Sequence, residues 1–196
     1  MNRLSLVLLL MVPLTAAGQT VFGVKAGVNI SDIVMTNYVN PDVEADLGLK
    51  IGPHAGFFVN GTLENRFGLA AELLYSNKGV KGNTDIHLHY ITLPVFLQYG
   101  LNEHFTAELG PEAAYLFSAK SAYGDVSSTY NNRFDLSLDA GVRYDTPRLT
   151  FGVRYSAGLF SVRDAVDIQG LSGGRRVKYQ NRVLQFSVGY KLRVLE

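Results

Sequence analysis

FDLSLDAGVRYDTPRLTFGVRYSAGL, residues 134–159, contains two segments in which every second residue is apolar or aromatic. The alternating residues are Phe134, Leu136, Leu138, Ala140, Val142 and Tyr144 before DTPR, and Leu149, Phe151, Val153, Tyr155 and Leu159 after it. A period of two is typical of β-strands, because successive side chains point to opposite faces of a sheet. The short DTPR link predicts that the two strands form an antiparallel hairpin.

The same alternation recurs in eight segments of the chain. They cover residues 21–31, 49–63, 67–78, 89–101, 105–119, 133–144, 149–160 and 182–192. Each is about ten residues or longer, the length that a tilted strand needs to cross a bilayer. Short links near 61–66, 100–104 and 145–148 alternate with long links near 32–48, 79–87, 120–132 and 163–181. This rhythm predicts an all-β, up-and-down antiparallel barrel of outer-membrane type.

The first eighteen residues differ from the rest. Arg3 is followed by an apolar run and then by the small residues Ala16, Ala17 and Gly18. This order is typical of a secretory signal peptide, and it predicts cleavage before Gln19 and a barrel domain over residues 19–196. A membrane anchor helix is the alternative, but the run is short for a span.

Composition excludes several classes of protein. The 196 residues include no Cys, which excludes a lipoprotein anchor, a disulfide framework and thiolate metal sites. Without residues 1–18 the chain has 17 basic and 17 acidic residues and is formally neutral. The chain therefore lacks the net positive charge that is typical of nucleic-acid-binding proteins, and nucleic acid is not predicted as a partner. No cofactor is predicted.

The main structural alternative is a soluble eight-stranded barrel of lipocalin type, whose apolar face points inward around a ligand. Three features favour the membrane barrel. The mixed face carries opposite charges near strand centres, and small residues share that face. Aromatic residues cluster near the ends of the apolar face, as the interfacial girdles of a membrane barrel require. These residues are Phe105, Tyr115, Phe117, Phe134, Tyr144, Phe186 and Tyr190.

Several motifs resemble a known family. FGVKAGVNISDI (22–33), AELLYSNKGVK (71–81), YITLPVFLQYGL (90–101), ELGPEAAYLFSAK (108–120) and the opening stretch occur in that order. They resemble the outer-membrane β-barrel "porin family", or PorT-like family, of Bacteroidota. The resemblance implies an eight-stranded outer-membrane barrel and no single activity, although PorT itself is tied to type IX secretion. Thr92 departs from the family pattern, in which an acidic residue often stands two positions before the proline.

Charged residues on the inward face predict a structural ion-pair network. They are Lys25, Glu72, Glu108, Glu112, Asp139, Arg143, Arg154 and Lys191. If Tyr144 faces Leu149 across the DTPR turn, Asp139 faces Arg154, and we expect a direct cross-strand ion pair. Because an eight-stranded barrel has room only for its own side chains, the network is interpreted as a plug. A gated proton or ion path is the functional alternative.

Pro94 interrupts a strand pattern, although proline has no N–H for the ladder. We place it on the inward face beside Thr92 and opposite Gly110. The missing donor predicts a local bulge or widened pair, compensated by interior polar groups such as Thr92 and Glu112.

Histidines and loop residues offer few candidates for chemistry. His87 and His89 share a strand face, a spacing that can hold a metal. No third ligand is evident beside them, and His54 and His104 stand elsewhere in the chain. We therefore interpret the histidines as interfacial or loop side chains. A rim set of His87, Ser127, Ser128 and Asp125 has no supporting spacing. We therefore predict neither an enzyme nor a metal protein.

Two long loops form the predicted interaction surface, because closure of the barrel makes them neighbours. The first carries Asp42, Glu44 and Asp46, and the last carries Arg175, Arg176 and Lys178. GLSGGRR in the last loop lacks the ending and context of a phosphate loop. The rim is interpreted as a salt-bridged surface, a contact with lipopolysaccharide, or a docking site for an envelope protein complex. The predicted function is structural or interactive in a monomeric barrel; a small-solute channel and a rim enzyme are the alternatives.

Overall fold

Ten β-strands make up nearly all of the described chain. The computed structural model describes residues 19–36, 48–81, 85–129, 133–159, 163–166 and 176–195, so the predicted signal peptide lies outside it. The strands are β1 (Gln19–Thr36), β2 (Lys50–Thr62), β3 (Phe67–Val80), β4 (Ile86–Gly100), β5 (Phe105–Ser121), β6 (Gly124–Asp125), β7 (Phe134–Asp145), β8 (Leu149–Gly158), β9 (Arg163–Val166) and β10 (Arg176–Leu195). Within these ranges a 3-10 turn covers Ser127–Thr129. None of the described residues form a helix that could cross a membrane.

Eight long strands close into one antiparallel barrel. They follow the order β1-β2-β3-β4-β5-β7-β8-β10, and β10 pairs back onto β1. The short β6 and β9 lengthen the sheet locally, because β6 pairs with the end of β5 and β9 with the beginning of β10. The predicted fold class is confirmed. We call the end with the turns 63–66, 101–104 and 146–148 the short-turn end, and the opposite end the long-loop end.

Burial is inverted relative to a soluble protein. Apolar side chains point outward, where Phe57 is 63% and Leu73 52% exposed, whereas Glu112 and Asp139 inside the barrel are fully buried. An apolar belt around a polar interior suits hydrocarbon outside, and the closed ladder leaves no unpaired sheet edge in it. This arrangement excludes the lipocalin-type alternative, in which the apolar face would line the lumen.

The register of the β7–β8 hairpin differs from the prediction. Tyr144 pairs with Phe151, and Asp145 with Thr150. The Thr146 N–H donates to the Leu149 carbonyl at 2.8 Å, so only Pro147 and Arg148 lie between the bonded residues. The predicted turn, with Tyr144 opposite Leu149, is two residues longer. A proline early in the turn favours this tight geometry because its ring fixes φ. The expected pairing is therefore wrong by two residues.

Pro94 points inward, as expected, but faces Glu112 and not Gly110. On the β3 side, the paired positions pass from Ala71–Val95 directly to Leu74–Thr92, so the ladder has a gap beside Pro94 without a change of register. The Thr92 hydroxyl has no hydrogen-bond partner in the described structure. The ladder is interrupted beside Pro94 without a bulge at that position, and the expected compensation by Thr92 is wrong.

The nearby bulge lies further along the same hairpin. The β4–β5 register shifts between His89 and Tyr90, because His89 pairs with Ser118 and Tyr90 with Leu116. Phe117 is therefore an extra residue in β5. The insertion changes the phase of the alternation, so that both Leu116 and Ala119 are buried. Apolar side chains thus enter the lumen near the long-loop end.

Aromatic rings also fill the interior, and glycines make room for them. Phe58 is buried in the lumen. A Cβ added at Gly23 would lie 2.3 Å from the Phe58 ring and 2.4 Å from the Tyr190 carbonyl oxygen. We expect Gly23→Val to lower the free energy of unfolding by about 1–3 kcal/mol through overpacking. Urea titration read by heat-modifiable gel mobility measures this loss. Ala26→Val, on the exposed face of the same strand, is the matched control; equal losses in both variants would contradict the packing argument.

Candidate functional site

The interior near the short-turn end is held by a chain of ion pairs. Arg143 Nη1 donates to Glu108 Oε1 at 2.8 Å, and Arg143 Nε donates to Asp145 Oδ2 at 2.8 Å. Lys191 Nζ lies 3.0 Å from Asp145 Oδ1. Asp145, at the end of β7, therefore binds both Arg143 and Lys191, and these charged side chains lie inside the barrel at its short-turn end.

Arg154 forms the centre of this network. Its Nη1 and Nη2 atoms donate to both oxygens of Glu72 at 3.1 and 3.0 Å, and Nη2 also donates to Glu108 Oε2 at 3.1 Å. Lys25 Nζ also donates to Glu72 Oε1, the oxygen that accepts from Arg154 Nη2. The guanidinium lies 4.0 Å from the centre of the Phe96 ring, within the range of a cation–π contact. The planar guanidinium thus connects three strands across the lumen.

A second group of charges lies nearer the long-loop end. Lys78 Nζ donates to Glu112 Oε1 at 2.6 Å and lies 5.4 Å from the centre of the Tyr90 ring. Asp135 accepts a hydrogen bond from Asn181 at 2.8 Å, and Asp139 accepts one from Ser137 at 3.1 Å. Lys78 is thus ion-paired with Glu112 and attracts Asp135 and Asp139 at longer range.

The two groups are named by their members. The turn-side network consists of Lys25, Glu72, Glu108, Arg143, Asp145, Arg154 and Lys191. The loop-side network consists of Lys78, Glu112, Asp135 and Asp139. The structure brings six of the eight charges proposed from sequence into the first network and the other two into the second.

The direct Asp139–Arg154 ion pair expected from sequence is wrong. Asp139 pairs with Ser156 in the ladder, and Arg154 turns to Glu72 and Glu108. Sequence reasoning also missed Lys78, Asp135 and Asp145. Lys78 stands on the inward face of the third segment, which is a usable signal, and Asp135 stands on the inward face of the opening stretch.

An apolar cluster lies inside the barrel near the long-loop end. It consists of Val80, Leu88, Tyr90, Ala114, Leu116 and Ala119, with Ile86 and Val126 packed against it. Val80, Leu88, Tyr90, Ala114, Leu116, Ala119 and Ile86 come from β3, β4 and β5, and Val126 directly follows β6. At the other end, a cavity of about 530 Å³ opens at the short-turn mouth, and Arg143 and Gln98 are among its lining residues. The described lumen is thus filled between an apolar layer and a charged floor.

The histidines occupy separate places. His54 is inside the barrel, where its Nδ1 lies 2.8 Å from Asn29 Oδ1. His87 and His89 stack with ring centres 6.4 Å apart, and His89 Nδ1 also lies 2.8 Å from the Tyr75 hydroxyl. His104 stacks on Tyr144. In the described part of the chain, no three or more His, Asp or Glu residues form a group that could hold a metal.

The rim residues considered for catalysis have local partners. Ser127 Oγ accepts a hydrogen bond from the Ala119 N–H at 2.9 Å, and the Asp125 carboxylate accepts one from the Ser127 N–H at 2.7 Å. Hydrogen bonds from Ser127 lower the pKa of Asp125. No hydrogen bond within the described residues joins His87 to Ser127, Ser128 or Asp125. The hydrogen bonds of Ser127 and Asp125 therefore stabilise a local turn, and they do not link either residue to His87.

Most of the predicted loop surface lies outside the described residues. Asp42, Glu44, Asp46 and Arg175 belong to that part of the chain. The backbones of Arg176 and Lys178 form the beginning of β10, and Lys178 pairs with Thr36 at the end of β1. The strands that lead into the first and last loops are therefore neighbours.

Comparison with known proteins supports the same architecture. Residues 17–164 match the family model described as "Outer membrane protein beta-barrel domain". Neisserial surface protein A is 16% identical, with a TM-score of 0.52, over 87% of this chain and 97% of that one. Ail of Yersinia pestis, in complex with the heparin analogue sucrose octasulfate, is 14% identical, with a TM-score of 0.50, over 88% of this chain and 99% of that one.

These solved structures share the fold, and at such identities the likeness shows the fold alone. No curated protein matches the chain. The family match and the shared barrel place the protein in the outer membrane.

Proposed function

Because the chain belongs to the outer membrane protein beta-barrel domain family, we propose that it acts through its surface and not through its lumen. Its role is structural or interactive: it presents external loops, or serves as an accessory to an envelope secretion or transport complex. The observation that carries this proposal is the filled interior, in which both charge networks and the apolar cluster occupy the lumen. The proposal assigns the protein no catalytic reaction.

A closer relationship to the PorT-like proteins of Bacteroidota is part of the proposal. It is supported by AELLYSNKGVK (71–81) and YITLPVFLQYGL (90–101). A role in type IX secretion would then be one form of the accessory function. Gentle crosslinking in native outer membranes followed by purification tests it. Recovery of lipopolysaccharide alone would count against the accessory role.

The external loops supply the proposed contact surface. Acidic residues in the first loop and basic residues in the last suit a partner with a matching pair of charged patches, and the strands that lead into these loops, β1 and β10, pair with each other. The test variant reverses three charges in the first loop, with Asp42→Lys, Glu44→Lys and Asp46→Lys. We expect crosslinked partners to be lost while the barrel still folds. Reversal of Glu64 and Glu103 at the short-turn end is the control, and equal loss in that variant would contradict a loop contact.

A barrel with a filled lumen should show no ion conductance in planar bilayers. We expect the wild-type barrel to insert without discrete conductance steps, because side chains and ion pairs occupy the path that water would need. A variant with Phe58→Ala and Phe96→Ala removes two buried rings and serves as the control for insertion. Regular conductance steps from the wild-type protein would contradict the proposal and favour the small-solute channel.

A further inference from the structure

An apolar groove crosses the outward face of the barrel, on the side opposite to the lumen. Its volume is about 530 Å³. Its floor is the backbone of Gly27, Ser187 and Gly152, which pair with one another in a line across β1, β10 and β8. Its walls are the outward side chains in the rows on either side of that line, including Phe186 and Val153. The groove therefore runs across the strands and not along them.

The groove rises from the short-turn end into the middle of the apolar belt. At one end lie Phe105, the first residue of β5, and Tyr144, next to the last residue of β7. At the other end lies Val28, in the middle of the 18-residue β1. From β5 to β1 there are four strand spacings, about 19 Å along the curved sheet at ~4.8 Å each, which is half of the eight-stranded circumference. One leaflet contributes about 15 Å of a ~30 Å hydrocarbon core, so an acyl chain is long enough to follow most of this curved path.

Cationic and aromatic groups stand at the lower end of the groove. The His104 ring stacks on Tyr144, with ring centres 5.6 Å apart and planes 17° from parallel. The Asp145 N–H donates to the His104 carbonyl at 2.7 Å, so turns 101–104 and 146–148 lie side by side. The Arg148 side chain is exposed and forms no hydrogen bond or ion pair with the described residues. Together His104 and Arg148 offer donors at the membrane surface.

The carboxylates nearby do not compete for these donors. Asp145 is already bound by Arg143 and Lys191. Glu103, in the same turn, lines the mouth cavity. An anionic group that approaches His104 and Arg148 from the membrane therefore meets positive charge, and charge-assisted hydrogen bonds to phosphate are among the strong ones.

We propose that the groove binds one phospholipid of the leaflet that faces the short turns. Its phosphate contacts His104 and Arg148, and one acyl chain follows the groove past Phe186 to Val28. The charge at the lower end and the length of the groove favour this occupant over a second copy of the chain. The site does not depend on the external loops, so it stands or falls separately from the proposed function.

Native mass spectrometry of the full-length folded protein tests the proposal, with phosphatidylglycerol as the probe. We expect one phosphatidylglycerol per wild-type barrel after detergent exchange. Val153→Trp fills the groove, and retention should fall about tenfold, which corresponds to about 1.4 kcal/mol. Leu73→Trp adds the same ring to an exposed position outside the groove and is the control. Equal retention in both variants would overturn the proposal.

A second variant tests the headgroup contact without changing the belt. His104→Ala with Arg148→Ala alters two exposed turn residues, and it keeps the test decisive if Val153→Trp does not fold. We expect phosphatidylglycerol retention to fall in this variant and heat-modifiable mobility to stay unchanged. Unchanged retention would refute the phosphate contact. A dimer that Val153→Trp abolishes would also refute the lipid and identify the groove as a contact between two copies.

Discussion

Replacing Arg154 by methionine is expected to lower the free energy of unfolding of the barrel by about 3 kcal/mol. The substitution removes three hydrogen bonds to Glu72 and Glu108 and the contact with the Phe96 ring. Each carboxylate keeps one other cation, so the loss lies at the lower end of the range for breaking a buried ion pair. Urea titration in liposomes, read by heat-modifiable gel mobility, measures the change.

Two variants separate the role of the Arg154 guanidinium from a general effect of substitution. Leu73→Met, at an outward position next to Glu72 and outside the groove, should change the unfolding midpoint little. Arg154→Lys keeps the charge but loses the planar fork that reaches both carboxylates, so its stability should fall between that of wild type and that of Arg154→Met. If Arg154→Met and Leu73→Met had the same midpoint, the turn-side network would not contribute to stability.

The alternation in the sequence predicted which residues face inward, but not which of them meet. Inward and outward positions follow from a period of two, and that period is visible in the opening stretch. Register depends on the geometry of each turn. Because the β7–β8 turn is tighter than expected, Asp139 pairs with Ser156 and not with Arg154. The main partner of Arg154 is Glu72, on a strand that does not neighbour β8. Contacts across the lumen depend on closure, tilt and stagger of the whole barrel, which no local pattern contains.

The lysine in the loop-side network shows a second limit of sequence reasoning. Lys78 stands near the end of an alternating segment, where a solvent-exposed rim position is the usual interpretation of a charged residue. The structure extends β3 to Val80 and buries Lys78 against Glu112 and Tyr90. Burial of Lys78 therefore depends on the length of β3 and on partners from β4 and β5, Tyr90 and Glu112, which the pattern of its own segment does not reveal.

Replacing Lys78 by methionine should have the largest effect on the stability of the barrel, about 3–5 kcal/mol. Methionine removes the ion-pair partner of Glu112 and the attraction of Lys78 for Asp135 and Asp139, and an unpaired buried charge is costly in a water-poor interior. The fall in the urea midpoint of folded protein in liposomes measures it.

The double variant Lys78→Met with Glu112→Gln provides the decisive comparison. It removes both members of the ion pair, which lie 2.6 Å apart, and should therefore recover most of the stability that Lys78→Met loses. Glu112→Gln alone keeps Lys78 beside Asp135 and Asp139 and should cost less than Lys78→Met. If the double variant were as unstable as Lys78→Met, the cost would come from lost packing of the lysine stem against Tyr90, and not from an uncompensated carboxylate.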